Sequence, residues 1–230
     1  MPSLGSRLLA EAFGTFGLAF IGCAVVVVNG GFPNSGVGLI GIALAHALVL
    51  AIAITATMNI SGGHINPAVT IGLLSVGRVS LSTAVAYIIA QLAGAVVGAF
   101  LVQALLPAEF VQQAMLGVPN LAANLSVGKA IGIEIVLTFF LMSAVFGTAV
   151  SPVAPKVGGF GIGLVLVFDI LVGGPLTGGV MNPSRAFGPA LVGGHWDNQI
   201  VWWVGPIVGA VVAAQLWERG ILKTVENGGR

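Results

Sequence analysis

Two short stretches decide the fold of this chain: Ser61-Gly62-Gly63-His64-Ile65-Asn66-Pro67-Ala68 and Thr177-Gly178-Gly179-Val180-Met181-Asn182-Pro183-Ser184. They align position by position, and we call them the first and second box. Two further matches occur in the same order at similar offsets: Glu11-x-x-x-Thr15-Phe16 recurs as Glu134-x-x-x-Thr138-Phe139, and Gly94-Ala-Val-Val recurs as Gly209-Ala-Val-Val. Three ordered matches indicate an internal repeat.

The composition is that of a protein embedded in a lipid bilayer. Hydrophobic residues make up 57% of the 230 residues and charged residues only 7%, whereas soluble domains carry about 25% charged residues. The net charge is +1 without any run of Lys or Arg, so we expect no nucleic-acid partner. Cys23 is the single cysteine, which excludes an intrachain disulfide and a cysteine-built metal site. We expect neither a metal nor a cofactor.

Hydropathy predicts an all-α membrane protein with a single membrane domain over residues 1–230. Six apolar segments are long enough to cross about 30 Å of hydrocarbon, and two others reach only half-way. The repeats are predicted at about residues 7–106 and 128–220, and the connection 107–127 between them receives no predicted structure. The spanning segments are predicted at residues 8–29, 36–58, 82–106, 128–150, 157–175 and 199–219, and the short ones at 66–76 and 182–192.

The number of spans fixes the topology. Six spans place both chain termini on one side, together with Arg7, Arg78, Lys156 and the C-terminal basic residues. Because Lys and Arg favour cytoplasmic loops, we expect cytoplasmic termini in a plasma (inner) membrane. Each repeat holds an odd number of spans, so the second repeat is inverted and the two boxes enter the membrane from opposite faces.

The boxes combine residues that begin a helix. Asn is a favoured N-cap and Pro is favoured at the first helical position, so Asn66-Pro67-Ala68 and Asn182-Pro183-Ser184 should begin two half helices. The preceding Gly62-Gly63 and Gly178-Gly179 pairs allow an extended backbone whose carbonyls line a path. Two facing helix N-termini carry about half a positive charge each, and the asparagine amides add donors. Such a centre repels cations and orients a passing water by its oxygen.

The combined pattern resembles aquaporins of the major intrinsic protein family, from Glu11 to about Leu216. The boxes, the paired glutamates and the Arg185 that follows the second box carry the resemblance. One departure is Ser184, where the family usually has alanine. The resemblance implies a fold of six transmembrane helices plus two re-entrant half helices, passive transport without enzymatic activity, and a homotetramer.

The resemblance also assigns a selectivity filter, formed by His46, Ile170, Gly179 and Arg185. This filter is similar to that of ammonia-permeable plant tonoplast intrinsic proteins. Arg185 lies three residues after Asn182 on the same helix face and would donate hydrogen bonds to the permeant. Alternatively, Arg185 could face the lipid headgroups, and His46 could be a histidine packed in the core without a pore role. A register slip of one residue would replace Ile170 by Asp169.

Ionisable residues inside a membrane are functional candidates by default. Glu11 and Glu134 could carry protons in a coupled transporter, or they could accept hydrogen bonds from backbone amides of the box loops. Their symmetry and the family resemblance favour the second role. The resemblance places His64 in the cytoplasmic half of the pore, and we expect Asp169 to hydrogen-bond neighbouring backbone.

These residues predict a passive water channel whose partners are water, small neutral solutes and the lipid bilayer. Ala186 disfavours glycerol, because glycerol facilitators of the family usually carry Asp after the filter arginine. Trp202-Trp203 also disfavour it, since they occupy a region that is aromatic in the family's water channels. Ammonia is a further candidate permeant, although the connection 107–127 lacks the histidine typical of ammonia-passing members. Two alternatives from other classes are an ion- or proton-coupled secondary transporter with inverted repeats and a junction-forming structural protein.

Overall fold

A computed structural model describes residues 2–32, 34 and 37–223, and within them all regular secondary structure is helical, as predicted. Six helices are long and apolar enough to cross a membrane. They are α1 (Leu4–Gly31), α2 (Gly38–Thr57), α4 (Leu81–Leu105), α6 (Val127–Val145), α7 (Phe160–Thr177) and α9 (Gln199–Leu216). Two half helices, α3 (Pro67–Ser75) and α8 (Pro183–Gly193), follow the boxes, and α6 and α9 continue into π-helical turns at Phe146–Val150 and Trp217–Ile221.

Local capping explains where the helices depart from the predicted bounds. α1 begins four residues before the predicted residue 8, because the Ser3 side chain accepts a hydrogen bond from the Ser6 N–H. α7 ends at Thr177 rather than at residue 175, because Gly178 forms a left-handed C-cap at φ 87°. Glycine adopts this conformation without the penalty that a Cβ atom brings.

Repeat-related helices pack in the same way in both halves. α1 packs along α4, and α6 packs along α9. At the points of closest approach, a Cβ atom on Gly94 would overlap the carbonyl of Ala12, and one on Gly209 would overlap the carbonyl of Ile135. Glycine therefore lets these helix backbones approach closely in lipid.

The two repeats are interlocked through the half helices. α3 packs against α9 of the second repeat, α8 packs against α4 of the first, and α2 contacts α7 across the centre. Large apolar side chains on the outward faces remain exposed, such as Leu9 and Ile40. Such faces suit a lipid environment, while the half helices are enclosed by protein as backbone ends at membrane depth require.

The connection 107–127 is ordered, which the sequence did not predict. It contains α5 (Ala108–Gln113) and a short 3₁₀ turn at Met115–Gly117. Leu116 is buried against Val27 and neighbouring apolar residues of α1 and α4. Burial of this side chain holds the connection against the helices, so it becomes part of the wall above the boxes.

We predict that Gly94→Ala destabilises the protein by about 1–3 kcal/mol, because the added methyl group overpacks the contact with Ala12. Gly132→Ala is the matched control, since Gly132 has nothing within 4 Å of its Cβ position. Thermal unfolding of the purified protein in detergent measures both. Equal unfolding temperatures for the two variants would show that the α1–α4 contact tolerates a side chain.

Candidate functional site

The box loops contain left-handed residues at equivalent positions. Gly63 and Ile65 have φ values of 61° and 53°, and Gly179 and Met181 have φ values of 55° and 53°. A left-handed conformation is unfavourable for a residue with a Cβ atom and especially for a β-branched one. It persists only where surrounding contacts fix the backbone. Hydrogen bonds from the box loops to Glu11 and Glu134 supply that restraint.

Glu11 holds the first box loop. Its Oε1 accepts from the Ser61 hydroxyl at 2.6 Å and the His64 N–H at 2.9 Å, and its Oε2 accepts from the Ile65 N–H and the Gln91 amide, both at 2.7 Å. The side chain is fully buried. The carboxylate thus accepts four hydrogen bonds, and two of them satisfy backbone N–H groups that the loop exposes.

Glu134 holds the second box loop in the same way. Its Oε1 accepts from the Thr177 hydroxyl at 2.7 Å and the Val180 N–H at 3.0 Å, and its Oε2 accepts from the Met181 N–H at 2.8 Å. Pro206 stands at the position equivalent to Gln91, so the fourth donor has no counterpart. Both glutamates thus make the loop contacts that symmetry suggested.

Two aromatic residues also support the loops, and sequence analysis missed them. The Tyr87 hydroxyl donates to the Ser61 carbonyl at 2.7 Å, and the Trp202 indole N–H donates to the Thr177 carbonyl at 2.9 Å. Arg7 Nε in turn donates to the Tyr87 hydroxyl oxygen at 2.7 Å. A signal was present, because Tyr87 and Trp202 have the same offset as Gly94 and Gly209.

The two asparagines join the boxes across the centre. Asn66 Nδ2 donates to the Met181 carbonyl, and Asn182 Nδ2 donates to the Ile65 carbonyl, both at 2.9 Å. Each Oδ1 accepts from a backbone N–H of its own half helix. An amide nitrogen carries two hydrogens, so each asparagine keeps one donor for the cavity that both line.

That central cavity has a volume of about 20 Å³, which holds about one water molecule. Its wall contains all four expected filter residues, together with both box asparagines and several leucines. The relevant lining residues are His46, Ile170, Gly179, Arg185, Asn66 and Asn182. Ile170 of α7 lines this cavity, whereas Asp169 lines none of the described cavities. The lining therefore favours Ile170 over Asp169 as the filter residue.

Two larger cavities lie above and below the central one. The distal cavity, away from the chain termini, measures about 290 Å³ and shares His46, Ile170 and Arg185 with it. The termini-side cavity measures about 340 Å³ and is lined by Gly62 and His64 among others. Leu141 and Leu166 of the central cavity lie one helical turn from Val145 and Ile162 of the termini-side cavity, so the cavities stack along α6 and α7.

All four box glycines have positive φ values, instead of the extended backbone that the sequence suggested. Gly62 and Gly178 line the termini-side and distal cavities, respectively. A Cβ atom added to Gly63 would lie close to Thr57 and Ile54 of α2. The contribution of the Gly63 carbonyl to the path stays a prediction.

Arg185 is held by a residue that sequence analysis missed. Its Nη1 donates to the Gly117 carbonyl at 2.8 Å, and the side chain is only 7% exposed. Gly117 follows Met115 and Leu116, and all three are left-handed. A backbone carbonyl leaves no mark in a sequence. The burial of the guanidinium excludes the headgroup-facing alternative.

The two pore histidines have hydrogen bonds that indicate their tautomers. His46 Nδ1 lies 2.9 Å from the Ile42 carbonyl, so Nδ1 donates and Nε2 remains an acceptor. Thr70 donates its hydroxyl hydrogen to the Asn66 carbonyl, so His64 Nδ1, at 3.1 Å, donates to Thr70 Oγ1. Both imidazoles therefore offer an acceptor nitrogen.

Comparisons with known proteins agree with this geometry. The family model described as major intrinsic protein matches residues 2–217. The chain belongs to the major intrinsic protein family. Relatives include Aquaporin TIP4-4 from Zea mays, 42% identical over 92% of this chain and 84% of that protein, and Probable aquaporin TIP3-2 from Arabidopsis thaliana, 42% identical over 84% and 72%.

A solved structure gives the same fold. The X-ray structure of the aquaglyceroporin from Plasmodium falciparum matches with a TM-score of 0.87 and 25% identity, and covers 98% of this chain and 100% of that one. As a major intrinsic protein, the molecule is an integral membrane protein and a passive channel for water and small solutes, not an enzyme. These similarities favour the channel over the coupled transporter.

Asp169 departs from the expectation that it bonds to neighbouring backbone. It is 1% exposed, and neither carboxylate oxygen has a hydrogen-bond partner among the residues that the structure describes. The physical reason is that the backbone N–H groups of α7 already donate along the helix, so none of them is left for the Asp169 side chain. The expectation was therefore wrong.

We predict that Glu134→Gln lowers stability by about 1–3 kcal/mol, because a glutamine turns one acceptor oxygen into a donor that faces the N–H of Val180 or Met181. Glu109→Gln is the control, since Glu109 is exposed on α5. Thermal unfolding in detergent reports the difference. An unchanged unfolding temperature for Glu134→Gln would argue against a loop-supporting carboxylate.

Proposed function

We propose that this channel conducts water in single file through the three stacked cavities, with His46, Ile170, Gly179 and Arg185 as its selectivity filter. The observation that carries the proposal is the central cavity of about 20 Å³, which Asn66, Asn182 and Arg185 line together. Water molecules must pass it about one at a time. A permeant there meets donors at the centre and a cation beside them.

Proton and cation exclusion follows from the same arrangement. The N-termini of α3 and α8 face each other and carry about half a positive charge each. Asn66 and Asn182 donate to the oxygen of a passing water and turn its hydrogens outward, which interrupts the hydrogen-bonded chain that protons need. Arg185 adds a full positive charge at the distal end of this cavity, so cations are repelled before they reach the centre.

The remaining polar residues support or extend this path. Glu11 and Glu134 fix the box loops, and His64 offers acceptor Nε2 in the termini-side cavity beside Gly62. A coupled transporter would need ionisable groups that change partners. The two glutamates are instead bonded to the loops whose shape they maintain, which favours passive conduction.

Ammonia is a second permeant that one observation favours. Ile170 and Gly179 line the central cavity together with His46. Gly179 is left-handed, and a Cβ there would lie 3.3 Å from the Asp169 carbonyl oxygen, so this side stays without a side chain. An apolar wall with one imidazole penalises ammonia less, relative to water, than a ring of polar groups does.

We also propose that the termini are cytoplasmic and that the channel is a homotetramer, as the charge distribution and the family suggest. Sequence analysis expected the plasma (inner) membrane, whereas similarity to TIP aquaporins points to the tonoplast type. Fluorescence microscopy of a fusion protein in its native cell separates these membranes. Cross-linking in lipid vesicles, followed by electrophoresis, tests the tetramer.

We predict fast osmotic water flux without proton current in vesicles that contain the protein, measured by stopped-flow light scattering and an internal pH dye. Arg185→Val should admit glycerol, because it removes the charge and widens the cavity. Lys129→Val removes an exposed positive charge and should leave glycerol excluded. A proton current through the parent protein would refute this account of the centre.

We predict that Ile170→His lowers ammonia flux toward that of empty vesicles while water flux persists, because a second imidazole makes the filter polar. Ile170→Leu keeps the wall apolar and serves as the control. Stopped-flow measurement of internal pH after an ammonium gradient reports the flux. If the parent shows no ammonia flux above empty vesicles, the channel passes water without ammonia.

A further inference from the structure

The two boxes differ at one buried side chain beside the central asparagines. Ser184 stands where the first box has Ala68. Both boxes otherwise hold their asparagine alike, since Oδ1 accepts from the backbone N–H two residues later, at 2.8 Å for Asn66 and 3.0 Å for Asn182. Both Nδ2 atoms donate across the centre at 2.9 Å.

Ser184 gives Asn182 a bond that Asn66 lacks. Ser184 Oγ lies 2.7 Å from Asn182 Oδ1, and because an amide oxygen carries no hydrogen, the hydroxyl donates. Ser184 is 1% exposed and is not part of the central cavity wall, whereas Asn182 is. The hydroxyl can therefore affect a permeant only through Asn182.

A second donor on Oδ1 changes the Asn182 amide in two ways. Rotation of the amide by half a turn would now break two hydrogen bonds at the oxygen instead of one, so its orientation is more strongly fixed. Hydrogen bonds in a buried chain also polarise one another. Two donors on the oxygen make the Nδ2 hydrogens stronger donors, and one of these hydrogens is left for the cavity.

We propose that Ser184 is a positioning residue that makes Asn182 the stronger of the two central donors. A passing water is then held longer on the Asn182 side than on the Asn66 side, and this step slows conduction. The proposal rests on the proposed conduction of water through the central cavity. The polarised and fixed Asn182 amide that the proposal requires can be detected without a measurement of water flux.

Three variants test the donor separately from the packing. Ser184→Ala removes the hydroxyl and makes the two boxes alike at this position, while Ser184→Cys keeps the side-chain shape with a slightly larger atom but offers only a weak donor. Ala68→Ser installs the hydroxyl in the other box. We expect water permeability per channel to rise about twofold in both Ser184 variants and to fall about twofold in Ala68→Ser. The effect is small because a neighbouring hydrogen bond changes the strength of the asparagine–water hydrogen bond by only a modest fraction.

Flux is measured by stopped-flow light scattering in vesicles with quantified protein. The side-chain amide signals of both asparagines are followed by solid-state NMR in lipid. The Asn182 signal should move in Ser184→Ala and Ser184→Cys while the Asn66 signal stays, and Ala68→Ser should move the Asn66 signal.

The outcomes distinguish the two proposals. If Ser184→Cys matches the parent in both readouts, the side chain acts by volume and the positioning role is wrong. It is equally wrong if the Asn182 signal stays unchanged in Ser184→Ala, or if the signal moves while water permeability does not. Parent vesicles without water flux above empty vesicles would instead overturn the proposed function, and the amide signals would still report on Ser184.

Discussion

Each box loop exposes backbone N–H groups at a depth where lipid and a narrow path leave little water to bond them. Because an unpaired amide there costs several kcal/mol, the loop needs an acceptor that reaches it from a spanning helix. Glu11 of α1 and Glu134 of α6 supply that acceptor, and each carboxylate bonds successive N–H groups of one loop. With the loops fixed, the half helices begin at the centre and their asparagines can join the two boxes.

Residues that recur in both repeats with the same contacts maintain the fold, and several residues that differ between the repeats give the two ends of the path their character. The glutamates, the asparagines, and the pair of Tyr87 and Trp202 recur with the same contacts. Several positions that line the outer cavities differ between the repeats. His64 of the first repeat corresponds to Val180 of the second, and Arg185 of the second repeat corresponds to Val69 of the first. A symmetric frame thus presents an acceptor imidazole toward one membrane face and a guanidinium toward the other.

Much of the fold could be predicted from the sequence because its determinants are local or repeated. Apolar length gives the spans, and Asn-Pro gives the starts of α3 and α8. The contact that holds Arg185 could not be predicted, because Gly117 contributes a backbone carbonyl that every residue type possesses. Asp169 was misjudged, because the absence of a nearby hydrogen-bond donor depends on neighbours that are distant in sequence.

The same contacts explain why passive conduction fits this molecule better than coupled transport. A coupled carrier must exchange the partners of an ionisable group between two states. Release of Glu11 would break four hydrogen bonds, two of them from backbone N–H groups of the first box. Glu134 is constrained in the same way. Asp169 has no hydrogen-bond partner among the described residues, but it lines none of the described cavities. The α7 residues that line the central cavity are others, Leu166 and Ile170, so coupling of a proton to a solute there would fall to the two glutamates that already hold the loops.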